Sequence, residues 1–140
     1  MLCGHMRYFG LDEANRLIPL LNGIFEKVRP WVTRAQKLAG ELSSLRGEGK
    51  RDAYTELLRT QHDGLIEQIR VELQQLQDMG IEVKAADGLV DFRAQLGGRT
   101  VYLCWRFGEP AISHWHELDA GFSGRQPIQD PQAFTPTYLS

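Results

Sequence analysis

Between Asp12 and Leu45 apolar residues return at steps of three and four: Ala14, Leu17, Leu21, Phe25, Val28, Val32, Ala35, Leu38, Leu42 and Leu45. Side chains at that spacing share one side of an α-helix, so the stretch reads as a single helical stripe. Glu13 falls in the first turn, where it suits the helix dipole. Pro19 and Pro30 each lack a backbone donor and crowd the preceding turn, so a kink or a break is expected at both. Gly47-Glu48-Gly49-Lys50-Arg51 contains no apolar residue and reads as a connection, after which Asp52 is placed to cap a second helix. That helix is predicted to run to about Met79 and to stop at Gly80, with Leu58, Leu65, Ile69, Leu73 and Leu76 as its stripe. A short connection sets the two helices antiparallel.

From Ile81 the period changes to two. Ile81/Val83, Val90/Phe92/Ala94 and Val101/Leu103/Trp105/Phe107 are alternating apolar sets, the pattern of half-buried strands. Gly97-Gly98 supplies positive φ at both central positions of a two-residue hairpin turn. That turn pairs Leu96 with Arg99, and so Ala94 with Val101, Phe92 with Leu103 and Val90 with Trp105. All of these apolar residues then share one face, so turn chemistry and hydrophobic pattern agree on the register.

The expected fold is therefore α+β: a long antiparallel helical hairpin (12–79) packed on a small antiparallel sheet of three to four strands (81–119). One domain is expected over 6–125, and 126–140, with its three prolines, as a tail. Helices this long span roughly 40 Å while seven-residue strands cover roughly 23 Å. Leu38, Leu42 and Leu45, with Leu57 and Leu58 opposite, should overhang the sheet, which predicts a homodimer through the hairpin tips.

A second hairpin is expected to turn through Gly108-Glu109-Pro110-Ala111 into a strand from Ile112 to about Leu118. A two- or four-residue loop opposes Trp105 with His114 and Leu103 with His116, with both histidines on the apolar face. A three-residue loop brings Cys104 opposite His116 and turns both histidines to the outer face beside Tyr102 and Arg106. The first register is preferred because it matches Ile112 and Leu118 to the apolar face.

The candidate chemistry lies in His114-Trp115-His116-Glu117-Leu118-Asp119 and in Arg125. Imidazoles at i and i+2 of a strand project to one side and are able to share a cation, with His62 of the second helix as a third ligand in the preferred register. Against this stand structural readings: His62 as a buried, hydrogen-bonded histidine, and His114 and His116 as sheet residues. Gly121-Phe122-Ser123-Gly124-Arg125 is a glycine-rich loop ending in a guanidinium, suited to a carboxylate or phosphate, or equally a surface turn with Arg125 paired to Glu117 or Asp119. Cys104 reads as a small apolar filler.

Composition narrows the field. At 140 residues, 42% hydrophobic and 24% charged, the chain suits one ordinary globular domain. A net charge of -2 and no dense Lys/Arg run disfavour bulk nucleic-acid binding. Pro19, Asn22 and Gly23 interrupt the longest apolar run, so no membrane span is expected. Met1 to Met6 lacks the pattern of a secretory signal, which makes the cytoplasm the default. Met6 is the expected native start, which takes weight from Cys3 and His5. No P-loop, dinucleotide fingerprint, CxxC pair or nucleophile elbow occurs.

Tyr8-Phe9, Glu13-Ala14-Asn15, Gly88-Leu89-Val90-Asp91-Phe92, Leu103-Cys104-Trp105, Gly108-Glu109-Pro110, Trp115-His116-Glu117-Leu118-Asp119-Ala120-Gly121-Phe122 and Gly124-Arg125 together resemble the bacterial domain-of-unknown-function 2203 family. The resemblance covers roughly Tyr8 to Ile128 and implies a small bacterial protein with no established activity. The family pattern often carries a large aromatic residue at the position of His114, which moves weight to His116, Glu117, Asp119 and Arg125. The leading expectation is a module that binds a divalent metal (zinc, iron or manganese) or an anionic ligand at that string. The alternative is a dimeric scaffold whose helical hairpin binds another protein. An enzyme ranks third, with metal-assisted hydrolysis as its form.

Overall fold

A computed structural model describes residues 7–46 and 52–134. The connection Gly47–Arg51, the residues Cys3 and His5, and the end of the tail lie outside the described residues. Helix α1 (Leu11–Arg16) leads into α2 (Ile18–Arg46), and α3 (Ala53–Asp78) follows. The break falls at Leu17, which places Pro19 in the first turn of α2, where a missing backbone donor costs nothing. Pro30, exposed, lies inside α2, which continues through it. Asp52 caps α3 by accepting from the Thr55 amide at 2.9 Å, and Gly80 follows the helix end with a φ of 88°.

Among the described residues five antiparallel strands follow in sequence order, one more than the largest number expected: β1 (Ile81–Ala85), β2 (Leu89–Leu96), β3 (Arg99–Arg106), β4 (His114–His116) and β5 (Gln126–Pro127). The fifth comes from the stretch read as tail. The β2–β3 hairpin turns through Gly97 and Gly98 at φ 60° and 84° with the predicted register, Phe92 opposite Leu103 and Val90 opposite Trp105. One face of the sheet meets the helices: Val90, Phe92, Val101, Leu103 and Trp105 are fully buried with Leu21, Phe25 and Val28 of α2 and Leu76 of α3. Phe9 packs edge-on against Phe92 at 5.1 Å between ring centroids, which sets α1 at that end of the core.

The overhang differs from expectation. Leu38 and Leu58 are buried within the chain and Leu42 and Leu45 are half-buried, because α2 and α3 cover each other's stripes beyond the sheet. Tyr54 and Leu57 are the exposed large hydrophobic residues described at that end of α3.

The register of β4 also differs. Tyr102 pairs with His116, Leu103 with Trp115 and Cys104 with His114, so the preferred pairing of Leu103 with His116 is overturned. The link from Phe107 to Ser113 is not a tight turn. It is held by one long-range and one local contact: the Ile112 amide donates to Asn15 Oδ1 at 2.8 Å, and the Trp105 indole donates to the Glu109 carbonyl at 2.9 Å. These slide β4 relative to both registers considered and give it the facing of the three-residue alternative. Trp115 turns inward to pack on Phe134, and both histidines turn to the outer face.

Candidate functional site

The outer face of a two-layer sheet is normally wet, yet here Asp91, Tyr102, Cys104 and His116 are 3%, 7%, 0% and 2% exposed. Segment 117–125 folds back over them. Gly121, at φ 67°, opens a single 3-10 turn, Phe122–Gly124, and a side chain at Gly124 would collide with Ala120, since an added Cβ would stand 2.5 Å away. The segment is tied down by Arg125, whose Nη2 donates to both Glu109 carboxylate oxygens at 2.9 Å and reaches the Cys104 carbonyl at 3.4 Å. Phe122 lies against the Arg125 guanidinium at 4.6 Å. Glu109 also accepts from the Arg106 amide at 2.8 Å, so the Gly108-Glu109-Pro110 corner and the Gly124-Arg125 corner form one brace.

Within that cover, Asp91 of β2 stands opposite Cys104 of β3, and His116 of β4 completes the group. His116 Nε2 lies 3.1 Å from each Asp91 oxygen, and Nδ1 lies 2.7 Å from the Glu117 carbonyl oxygen. A carbonyl only accepts, so Nδ1 carries a proton and donates. The Tyr102 ring rests against the imidazole at 5.4 Å, and its hydroxyl donates to Glu82 at 2.8 Å. Among the described residues, the one group of three or more His, Cys, Asp or Glu side chains able to share a cation is Asp91, Cys104 and His116, with ligand atoms all within 4.8 Å of one another.

Burial pushes the Asp91 carboxyl above its usual range, although His116 and the Cys104 thiol oppose the shift. Burial, reinforced by the Asp91 charge and only partly offset by Arg125, pushes the Cys104 thiol up to about 12. Such a thiol stays protonated at neutral pH and is a poor nucleophile. The trio is therefore a weak candidate for covalent catalysis.

The predicted site residues separate. His62 is half-buried on α3 and bonds its neighbour Asp63 at 3.0 Å, so the expected convergence with the two strand histidines does not occur. His114 bonds Ser113 at 2.9 Å and is not one of the three. The Glu117 side chain pairs with Arg99 at 2.7 Å and faces away, while its carbonyl holds His116. Asp119 is exposed. Arg125 pairs with Glu109, not with Glu117 or Asp119. Asp91 was missed, and Cys104 was passed over as filler. The Gly97-Gly98 register already placed those two opposite one another on the non-apolar face.

A family model described as an uncharacterized conserved protein, DUF2203, matches residues 7–128. The chain belongs to the DUF2203 family. No curated protein and no solved structure matches it. The DUF2203 match ends at Ile128, just beyond β5, so it takes in all three residues of the cluster and the brace above them.

Proposed function

We propose that the protein is a metal-binding module whose site is Asp91, Cys104 and His116, taking a divalent ion of the zinc or iron(II) class. The observation that carries this reading is the orientation of His116. With Nδ1 donating to the Glu117 carbonyl, a ring without a second proton would direct its Nε2 lone pair at the Asp91 carboxylate. Two acceptors facing each other repel unless a proton or a cation lies between them, and donation by the second ring nitrogen to a carbonyl is how metal-bound histidines are usually held.

Charge and size support the same reading. A thiolate, a carboxylate and a neutral imidazole around a divalent ion sum to zero, which suits burial. Zinc bonds of about 2.0–2.3 Å imply ligand atoms roughly 3.3–3.8 Å apart in a tetrahedron. The three atoms already lie within 4.8 Å of one another, and Nε2 and the Asp91 oxygens would separate only slightly from 3.1 Å. Bound metal would deprotonate Cys104 despite its high pKa. The sulfur donor makes manganese the least suited of the three ions considered. Glu117 serves through its backbone, and Arg125 serves by bracing the cover.

Elemental analysis of untagged protein purified without nickel tests this. Near-stoichiometric zinc or iron, lost in His116→Ala and in Cys104→Ser, is expected. Protein that stays metal-free after incubation with each ion would make the trio a buried imidazolium–carboxylate pair, and the search would move to partners of the helical hairpin.

A bacterial cytoplasmic location belongs to the same proposal, since a reducing compartment keeps a buried thiol such as Cys104 free. Self-association through the hairpin tips is a separate proposal. It is supported by Tyr54 and Leu57, 57% and 53% exposed on the first turns of α3. Light scattering at micromolar concentration would sink it by returning a monomer mass.

A further inference from the structure

Asp91, Cys104 and His116 all line a cavity of about 160 Å³ on the outer face of the sheet. Three protein ligands leave a tetrahedral ion one open position, and this cavity is where that position would face. The lining also includes Lys84 of β1, whose ammonium sits 4.9 Å from the Tyr102 ring centroid and pairs with Glu82 at 3.0 Å. The rim is apolar: Leu89 from the sheet, with Leu118 and Phe122 from the covering segment, the last two 49% and 42% exposed.

The charges around the cavity do not balance. Arg93 and Lys84 both pair with the single carboxylate of Glu82, at 2.8 and 3.0 Å. Asp91 and the Cys104 thiolate would neutralise a divalent ion, so Lys84 and Arg93 against Glu82 leave one positive charge on the β1 side of the open coordination position. A cavity of about 160 Å³ is of the size that takes a benzene-sized molecule.

We propose, on the footing of the metal reading above, that this cavity binds a short-chain organic monoanion, its carboxylate bridging the ion and Lys84 and its tail against Leu89, Leu118 and Phe122. The carboxylate would displace water from the ion and accept from the Lys84 ammonium. The tail distinguishes the ligand from an inorganic anion, which has nothing to place on the apolar rim.

The test uses full-length protein loaded with cobalt(II), whose visible spectrum reports coordination and whose thiolate charge-transfer band reports Cys104. Formate, acetate, propionate, butyrate and octanoate are titrated in turn, with inorganic phosphate alongside. A saturable spectral change is expected, with affinity rising roughly fourfold per added methylene until the cavity is filled and falling for octanoate. Lys84→Met should load cobalt as the unaltered protein does and bind butyrate roughly tenfold more weakly. A normal thiolate band with no response to any carboxylate would overturn the proposal and leave the metal reading intact. A response to phosphate equal to that for butyrate, or undiminished butyrate affinity in Lys84→Met, would overturn it too. Failure to bind cobalt at all would instead remove the metal reading on which the proposal stands.

Discussion

An amide in place of the Asp91 carboxylate keeps the side-chain shape and adds a donor aimed at His116 Nε2. In the tautomer fixed by the Glu117 carbonyl, that nitrogen needs a donor, so Asp91→Asn satisfies the buried hydrogen bond and removes a buried charge. Metal-free Asp91→Asn is therefore expected to melt no more than roughly 3 °C below metal-free unaltered protein, while losing the ion. A purely structural imidazolium–carboxylate pair predicts no effect of zinc on either protein, and a cost of about 3–5 kcal/mol for removing one partner. Melting curves of both proteins with and without zinc decide between them, since a metal site gives the unaltered protein a zinc-dependent rise that Asp91→Asn lacks.

At the level of elements, Glu82 of β1 ties the first three strands together: it accepts from Tyr102 of β3 and pairs with Arg93 of β2 and Lys84. Burial pushes its carboxyl up, but the Lys84 and Tyr102 hydrogen bonds and the nearby positive charges outweigh it and leave the pKa lowered. A carboxyl depressed in the fold contributes stability above its unfolded value of about 4.5. That contribution disappears as pH falls through the folded value. Glu82→Gln should therefore cost about 1 kcal/mol at pH 7 and nothing in acid well below pH 4.5; denaturant titrations at both pH values would show a constant cost if the network is irrelevant. The same strands show what was legible in the sequence. The β2–β3 register was readable because Gly97-Gly98 fixes it locally. The β4 register was not, because Asn15, far away in the chain, holds the link before it through a contact that no local pattern encodes. His116 was therefore recognisable as a candidate, whereas its neighbours Asp91 and Cys104 depended on knowing which residues β4 faces.

For the molecule as a whole, the site draws one residue from each of three adjacent strands, and the last of them, β4, is three residues long. An ion bound only by the folded state would stabilise it by about 4 kcal/mol at a thousandfold excess over Kd. The gain should be greatest where the ladder is shortest. Hydrogen exchange with and without zinc is expected to slow most across 113–126 and least near the start of α3; an unchanged pattern would mean that β4 holds itself in place. Asp91 and His116 are 25 residues apart, but Asp91 and Cys104 are brought face to face by a hairpin whose turn leaves almost no loop to close. Loop closure of that kind is among the fastest events in folding, far ahead of the long-range contacts that seat β4. Two of the three ligands are thus expected to meet before His116 arrives, an order set by the tightness of the glycine turn at the end of the hairpin, and pulse-labelled hydrogen exchange would contradict it by protecting β4 as early as β2 and β3.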